Sequence, residues 1–147
     1  MDAIDKKILK ILQKNARTPN SDIAKKLKMA ASSIWERIKK LEDKKIITQY
    51  SVVLNHKALN QNVLAFVIIA LNSANWSEEF EAEMLKIKHI EELHEIIGED
   101  SYIAKIRARD IDQLSDILKN KVGKIKVVKS TKTTISVSEV KYESNVG

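Results

Sequence analysis

Hydroxyl, basic and acidic side chains follow one another closely in one short stretch of the chain, and together they suit binding to a polyanion. The residues are Ser32, Ser33, Trp35, Glu36, Arg37, Lys39 and Lys40. Lysine and arginine bind phosphate oxygens, whereas short polar and carboxylate side chains can hydrogen-bond to base edges. We therefore predict a DNA-contacting surface in which the serines and the carboxylate face base edges and the three cations hold phosphates.

Two of these residues have a second interpretation. Trp35 could pack on a sugar or a thymine methyl group, or its ring could fold back against a neighbouring domain or partner chain. The second arrangement is favoured because tryptophan is rarely left fully exposed. Glu36 could accept a hydrogen bond from a cytosine amine or pair with Arg37 or Lys40 on the surface. For Lys39 and Lys40, together with Lys44 and Lys45, the alternative to phosphate contact is a solvated face.

These side chains need a helix to present them, and the stretch Asn20 to Leu41 predicts two helices joined by a tight corner. Ile34, Ile38 and Leu41 recur at i, i+4 and i+7, which gives the second helix one buried seam. The arrangement predicts a helix-turn-helix, in which a first helix supports a second that enters the major groove. Lys28 stands at the corner, where a left-handed backbone would cost it more than it would cost glycine.

The flanking elements follow from capping and periodicity. Asp2 is predicted to cap a first amphipathic helix that runs to about Lys14. Pro19 separates it from the next helix, for which Asn20 or Ser21 is the expected cap, and Ser32 is the expected cap of the third. The β-branched stretch from Ile46 to Leu54 predicts a wing or a linking strand, and 55–62 a connector.

The second half of the chain alternates between strand and helix patterns. The predicted order is strand, helix, strand, strand, helix, strand, over Val63–Leu71, Trp76–Ile87, Glu92–Ile97, Ser101–Arg109, Asp110–Val122 and Ile125–Tyr142. This order predicts a ferredoxin-like βαββαβ sandwich with both helices on one face of an antiparallel sheet. The other face would lie open in a monomer, so a second copy is expected on it.

The fold class is thus α+β, with an N-terminal (winged) helix-turn-helix domain at 1–46. A linking strand and connector at 47–61 precede a ferredoxin-like domain at 62–147. Residues 1–60 hold 14 Lys/Arg and 6 Asp/Glu, whereas 61–147 hold 12 and 14. A basic module joined to a mildly acidic one is typical of a nucleic-acid-binding part attached to a part with another task. A lysine-rich solvated surface is the alternative.

The composition argues against several other classes of protein and of site. The absence of cysteine excludes a disulfide framework, a thiolate zinc site and a cysteine nucleophile. The three histidines lack metal-ligand spacing, and glycine occurs only at 98, 123 and 147, so we find no phosphate-binding loop or nucleophile elbow. An enzyme, a metal site and a resident cofactor are not expected. With no signal-peptide pattern and no apolar run long enough for a membrane helix, we expect a cytoplasmic protein without membrane contact.

The chain resembles the Lrp/AsnC transcription regulators over nearly its full length. The resemblance is carried by Ile4-Asp5-Lys6-Lys7-Ile8-Leu9, by Glu36-Arg37-Ile38-Lys39-Lys40-Leu41-Glu42, by Gly98 and by Thr131-Lys132-Thr133. It implies a sequence-specific regulator of amino-acid metabolism that binds double-stranded DNA as a homodimer. It further implies assembly to tetramers or octamers and response to an amino-acid effector.

The resemblance also implies an effector site, at a strand–turn–strand and a neighbouring strand. The corresponding residues are Gly98, Glu99, Asp100, Ser101, Tyr102, Thr131 and Thr133. This sequence departs from the family pattern at Lys28 and Ala30, where the family has the corner glycine and the serine that begins the recognition helix. It also has Ser101 where a second acidic residue would pair with the α-amino group of the ligand. A hydroxyl cannot supply that charge, so an altered ligand, compensation by Glu99 or Asp100, or a plain hairpin remain open.

Two other functions fit the same features. An architectural protein could coat DNA through the basic half, with little sequence preference and no effector. A stand-alone amino-acid sensor could instead use its helix-turn-helix to dock on protein. Footprinting separates regulator from coater, because discrete pseudo-palindromic protection indicates the first and uniform protection the second. A protein without duplex affinity at low salt would fit the third.

Overall fold

The computed structural model describes residues 1–73, 77–98 and 101–141. Their backbone forms two compact units, Met1–Val53 and Leu54–Val140. The division falls inside the segment 47–61 that the sequence assigns to a linker. Predictions for Trp76, Glu99, Asp100 and Tyr142 lie outside the described residues.

Three helices form the first unit: α1 (Ala3–Lys14), α2 (Asn20–Leu27) and α3 (Ala31–Asp43). Each turns an apolar stripe inward, and the buried residues of these stripes form one core cluster. The cluster consists of Ile8, Leu12, Ile23, Ala24, Ile34 and Ile38. The predicted helix-turn-helix and the helix before it are therefore present, and burial of their apolar stripes is what stabilises such short helices.

The helix caps follow the predictions only in part. Asp2 caps α1 as predicted, and its side chain accepts from the backbone N–H of Ile4 and of Asp5. The other two predictions are wrong, because Pro19 is the N-cap of α2 and Ala30 that of α3, each without a side-chain cap. Both hold the extended backbone that an N-cap requires, so Asn20 and Ser32 already lie inside their helices.

The corner between α2 and α3 is closed by Lys28, which adopts the left-handed conformation with φ 53° and ψ 49°. The backbone N–H of Met29 then donates to Ala24 O at 3.0 Å, the bond that closes a Schellman motif. The prediction for Lys28 is confirmed. Lys45 repeats the arrangement after α3, with φ 53° and a 2.9 Å bond from Ile46 N to Leu41 O.

The predicted strand at Ile46–Leu54 is not formed within this chain. Residues 48–55 have no regular secondary structure, and Val52 and Val53 are 75% and 81% exposed. β-branched residues favour a strand only where another backbone supplies the hydrogen-bond partners and a surface to pack on. Among the described residues no backbone pairs with this segment, so the wing prediction is wrong for the described part of the protomer.

The second unit is built on a four-stranded antiparallel sheet with the strand order β2-β3-β1-β4. Its elements in chain order are β1 (Val63–Leu71), α4 (Ser77–Met84), β2 (Ile90–Glu95), β3 (Tyr102–Ala108), α5 (Ile111–Asp116) and β4 (Val128–Ser136). Both helices pack on one face, through Phe80 and Met84 of α4 and Leu114 of α5. The predicted βαββαβ sandwich is confirmed, although β2 begins at Ile90 and the last strand stops at Ser136.

The end of α5 is irregular, because the helix widens into a π-helical turn at Ile117–Lys121 and tightens into a 3₁₀ turn at Val122–Lys124. Gly123 permits this change. A Cβ at that position would lie 2.9 Å from Leu118 O, so a larger residue would have to displace backbone. The turn returns the chain to the sheet and buries Ile117 and Val122 in the core.

Candidate nucleic-acid interface and effector site

The face of α3 turned away from the core carries most of the predicted DNA-contacting side chains. Ile34, Ile38 and Leu41 are buried on the inner face. The exposed residues are Ser32, Trp35, Glu36, Lys39 and Lys40, and Ser33 is half-buried. One helix surface thus presents hydroxyl, carboxylate and ammonium groups together, a set that suits contacts to base edges and phosphates.

Trp35 lies at the edge of this face and remains 53% exposed. Lys39 places its Nζ 5.0 Å from the centroid of the indole ring, within the range of a cation–π contact. The ring also lines a surface groove of about 460 Å³ together with Leu12, Lys39 and Tyr50. Within its own unit the Trp35 ring is therefore only partly covered and does not belong to the core. Its contact orients the Lys39 ammonium on the candidate DNA face.

Tyr50 closes one side of the same groove. Its hydroxyl donates to Glu42 Oε1 at 2.7 Å. Partial burial, and then this hydrogen bond to a carboxylate, raise the pKa of Tyr50 to about 12. The phenol consequently stays protonated at neutral pH and ties the segment after α3 back to the helix.

Arg37 faces the first turn of α1, away from the groove that holds Trp35. Its Nη1 donates to Asp2 Oδ2 and to Asp5 Oδ1, both at 2.7 Å. The other oxygen of each carboxylate belongs to the capping box. Asp2 Oδ1 accepts from Ile4 N and Asp5 N, and Asp5 Oδ2 accepts from Asp2 N. We call Arg37, Asp2 and Asp5 the carboxylate clamp, and through it a predicted phosphate ligand is held by acids of its own chain.

The clamp shifts the proton affinity of all three groups. For Asp2, the hydrogen bond from the N–H of Asp5 and then the one from Arg37 lower the pKa of the carboxyl. At Asp5, burial raises the pKa, but the hydrogen bonds from Asp2 N–H and Arg37 outweigh it and the pKa falls. The two carboxylates in turn raise the pKa of the Arg37 guanidinium. All three therefore stay charged throughout the physiological range.

The described part of the predicted effector site comprises the segment that leads into β3, the first residue of β3 and the edge strand β4, and β1 lies between β3 and β4 in the sheet. Gly98 has φ +155°, a conformation that residues with side chains rarely adopt. Ser101 N donates to Ile69 O at 3.0 Å, and Ser101 Oγ accepts from Leu71 N at 3.4 Å. On the opposite side of β1, Thr131 pairs with Ile69. Ser101 and Thr131 are thus about two strand spacings, roughly 10 Å, apart.

The remaining effector predictions divide between surface and core. Thr131 and Thr133 are exposed on the edge strand β4. Tyr102 is only 2% exposed, its ring centroid lies 4.7 Å from that of Phe80, and its hydroxyl donates to Glu81 Oε1 at 2.6 Å. Burial, followed by the Glu81 hydrogen bond, raises the pKa of Tyr102 to about 12. Tyr102 is therefore a core residue that fixes α4 to β3, and any influence it has on a ligand is indirect.

The sheet face opposite the helices is apolar at its centre and charged at one side. On β1, Phe66 is 38% exposed, and its pairing partners are Lys105 on β3 and Thr134 on β4. On β2, Glu91 lies in a register irregularity between Ile90 and Glu92. From there its carboxylate reaches Arg107 Nε at 3.0 Å and Lys105 Nζ at 3.5 Å. We call this surface, with Phe66 at its centre and Glu91, Lys105 and Arg107 at its side, the open sheet face.

Comparison with known proteins identifies both units. The family model of the AsnC-type helix-turn-helix domain matches residues 1–42, and that of the Lrp/AsnC ligand-binding domain matches 64–146. The chain belongs to the Lrp/AsnC family of transcription regulators. Among curated relatives, it is 37% identical to the HTH-type transcriptional regulator FL11 of Pyrococcus furiosus, over 92% of this chain and 88% of the relative.

Solved structures of the Lrp/AsnC family have the same fold. Escherichia coli AsnC superposes with a TM-score of 0.94 at 28% identity, covering 100% of this chain and 99% of that one. A Neisseria meningitidis transcriptional regulator in complex with L-methionine gives a TM-score of 0.93 at 24% identity, over 97% and 94% of the two chains. This chain is accordingly a DNA-binding transcription regulator with a helix-turn-helix unit and a ligand-binding unit.

Two further observations concern the part of this Lrp/AsnC chain that the structure describes. None of its helices there is both long enough and apolar enough to cross a membrane. Within the same ranges, no group of three or more His, Cys, Asp or Glu side chains is placed to hold a metal ion.

Sequence reasoning missed the two acidic members of the clamp. Asp2 and Asp5 stand three residues apart at a helix start, which is the signature of a capping box and predicts their hydrogen bonds with backbone N–H groups. Nothing local indicates that their remaining oxygens meet Arg37, because the pairing spans 32 and 35 residues and depends on how α1 and α3 pack. The sequence predictions for the DNA-contacting residues stay predictions.

Proposed function

We propose that this Lrp/AsnC regulator binds DNA as a homodimer, reads base edges with α3 of each copy, and changes its affinity when an amino acid binds to the second unit. The observation that carries the proposal is the exposed polar face of α3, opposite its buried seam. Ser32, Ser33 and Glu36 would approach base edges, and Lys39 and Lys40 the phosphates on either side. The regulated genes would be those of amino-acid metabolism, and the protein would act in the cytoplasm.

A homodimer is supported by the open sheet face. Leu64, Phe66 and Ile68 point to the same side of β1, because alternate residues of a strand share a face. In the described structure Leu64 is buried, but Phe66 is exposed and Ile68 half-buried, and an apolar strand centre of this kind favours a second copy of the same surface, related by a two-fold axis. A two-fold dimer would place its α3 helices on half-sites about 34–36 Å apart, or a multiple of that distance. Assembly to tetramers or octamers is supported by the resemblance alone and stays a prediction.

An amino-acid effector is supported by the match of 64–146 to a ligand-binding domain, and by a fold neighbour that holds L-methionine. We place the ligand near Gly98, Ser101, Thr131 and Thr133, and we keep Glu99 and Asp100, which come between Gly98 and Ser101 in the sequence, as predicted ligand contacts. The hydroxyl of Ser101 would hydrogen-bond to the ligand without adding a negative charge, so recognition of an α-amino group would be weaker here than with a carboxylate.

The test of the proposed function is selection of bound duplexes from a random pool, followed by footprinting with and without each of the twenty amino acids. We expect protected pseudo-palindromes with a spacing of one helical turn or its multiple, and an affinity change with at least one amino acid. Uniform protection without sequence preference would instead support an architectural coater. Failure to bind any duplex at low salt would exclude both.

A further inference from the structure

We propose that Arg37 is a positioning residue of the DNA-binding unit: held by Asp2 and Asp5, it fixes the orientation of α3 against α1 and does not bind phosphate. The inference rests on the proposed function, because it concerns how the reading helix is aimed. It departs from the sequence prediction that grouped Arg37 with Lys39 and Lys40.

Both N–H groups of Arg37 Nη1 are occupied by carboxylates of the same chain. Arg37 Nη1 has two carboxylate oxygens at 2.7 Å, the length of strong charge-assisted hydrogen bonds. The Asp5 side chain is 15% exposed and that of Arg37 30%, so the pair is partly shielded from water. A phosphate approaching Arg37 would have to displace one carboxylate or share the cation with two, and the clamp as a whole carries one net negative charge.

The position of Arg37 on α3 sets it apart from the exposed lysines of the same helix. At about 100° per residue, Arg37 lies roughly 60° from the buried Ile34, whereas Glu36 lies on nearly the opposite side of the helix. Arg37 therefore flanks the core seam and faces α1. Lys39 and Lys40 are exposed, whereas Arg37 is half-buried, in keeping with that placement.

Directional bonds are needed to hold α3 in one orientation against α1. Apart from the clamp, the two helices touch through apolar side chains such as Ile8, Ile34 and Ile38. Apolar attraction is non-directional, so such contacts resist separation more than they resist rolling of one helix on another. Neither α2 nor α3 has a side-chain cap that would fix the start of the reading helix. Two directional bonds from Arg37 to the first turn of α1 supply that constraint.

The clamp shares a groove with side chains of α3 that we propose contact DNA. Arg37, Asp2 and Asp5 line one surface groove of about 560 Å³, and Ser33, Glu36 and Lys40 line the same groove. A change in the orientation of Arg37 would therefore shift Ser33 and Glu36, which are proposed to approach base edges, and Lys40, which is proposed to approach phosphate. Loss of the clamp should lower discrimination between sequences, and should leave affinity for any duplex nearly intact.

The decisive experiment compares the double variant Asp2→Asn/Asp5→Asn with Arg37→Gln in the full-length protein. Asparagine keeps an acceptor oxygen and is itself a good N-cap, so the double variant loosens the clamp without removing the cap. Asp22→Asn neutralises one exposed acid on α2 and is the control for added positive charge, of which the double variant adds two units. Affinity is measured for the selected operator and for a random duplex over a range of salt, at a temperature where circular dichroism shows each variant folded.

If Arg37 positions α3, both clamp variants lose about tenfold in the ratio of operator to random-duplex affinity, the equivalent of one good base contact. Arg37→Gln then keeps the wild-type dependence of affinity on salt, and Asp22→Asn keeps the wild-type ratio. If Arg37 is a phosphate ligand, releasing it from the acids tightens binding in the double variant, and Arg37→Gln lowers the salt slope by about 0.9. Either of these results, or an unchanged ratio in both clamp variants, overturns the inference.

The same measurements separate this inference from the proposed function. Wild-type protein that binds no duplex would refute the function itself. Wild-type protein that selects an operator, together with a lowered salt slope in Arg37→Gln, would refute only the positioning role.

Discussion

Lys39 holds its ammonium group 5.0 Å above the ring of Trp35, one helical turn away on the exposed side of α3. The ring restricts a side chain that would otherwise sample many rotamers, so the cation is partly preorganised for the phosphate contact that we propose for it. Its neighbour Lys40 is exposed without such a contact to an aromatic ring in the described structure.

Replacing Trp35 with alanine should therefore weaken DNA binding through Lys39. An exposed cation–π contact is worth about 0.5–1 kcal/mol, so affinity should fall by about two- to fivefold. Trp35→Phe should retain part of the effect, because phenylalanine offers a weaker face to the cation. Fluorescence anisotropy with a labelled duplex measures it, and equal affinity for wild type and Trp35→Ala would mean that the contact has no part in binding.

Removing either lysine of the reading face should change the dependence of affinity on salt. In Lys39→Ala and Lys40→Ala, the slope of log affinity against log salt should fall by about 0.9 each, one released counterion per lost phosphate contact. Binding to all sequences should weaken alike. Lys86→Ala, on the second unit next to α4, is the control and should keep the wild-type slope. A wild-type slope in both α3 variants would remove these lysines from the contact surface.

The open sheet face should be the dimer interface, and Phe66 is its exposed apolar centre. Phe66→Glu should shift the assembly toward a single 16.7 kDa chain, because two copies would bury like charges against each other. The monomer should tolerate the change, since position 66 is 38% exposed and a carboxylate there can stay in water. Light scattering after size exclusion reads the mass. Leu85→Glu, at a residue that is 80% exposed beyond α4, should leave the dimer intact.

Ser101 should limit affinity for amino acids. Ser101→Asp supplies a carboxylate beside β1 while keeping an oxygen that can accept from Leu71 N, so an α-amino group gains an ion pair. The thermal shift caused by the preferred amino acid should then be larger at equal concentration, because a ligand that binds only the folded state stabilises it. Ser101→Ala, which also removes the hydroxyl, should not enlarge the shift. A Ser101→Asp protein that responds to none of the twenty amino acids would argue against a site at this turn.

Tyr102 should make stability fall at high pH. Its phenol has a pKa near 12 in the folded protein and about 10 in an unfolded chain. Because the folded value is raised, the contribution is fully present below pH 10 and is lost as the pH rises through 12. Tyr102→Phe removes the hydrogen bond to Glu81 and should cost about 1 kcal/mol at neutral pH. Urea unfolding of both proteins should show this difference shrinking above pH 10, and a difference independent of pH would contradict the shifted pKa.

Local patterns predicted much of the fold because burial and periodicity operate over a few residues. The alternation of Tyr102, Ala104 and Ile106 with Ile103 and Lys105 predicted the two faces of β3, and the structure buries the first set. The isoleucine spacing likewise predicted the seam of α3. The left-handed Lys28 followed from its place at the corner, where many helix-turn-helix motifs have glycine.

What sequence could not predict depends on distant parts of the chain. The segment Ile46–Leu54 has strand propensity but no partner backbone in the part of the chain that the structure describes. Ser32 has the chemistry of a cap, yet the path of the corner makes Ala30 the cap. Arg37 was grouped with the phosphate-binding cations by type, and only the packing of α1 against α3 reveals the two acids that hold it. For these residues tertiary neighbours outweigh local propensity.

Lys28 and Lys45 each end a helix in the left-handed conformation, and each is exposed. A side chain in that conformation costs about 1–2 kcal/mol relative to the right-handed one. A cation at a helix C-terminus recovers about 0.3–1 kcal/mol from the helix dipole. At the corner, an unfavourable backbone conformation therefore accompanies a positive charge beside α3. A glycine there would relax the turn and weaken the electrostatic field that draws the unit toward DNA, so stability and attraction to DNA are set against each other at one residue.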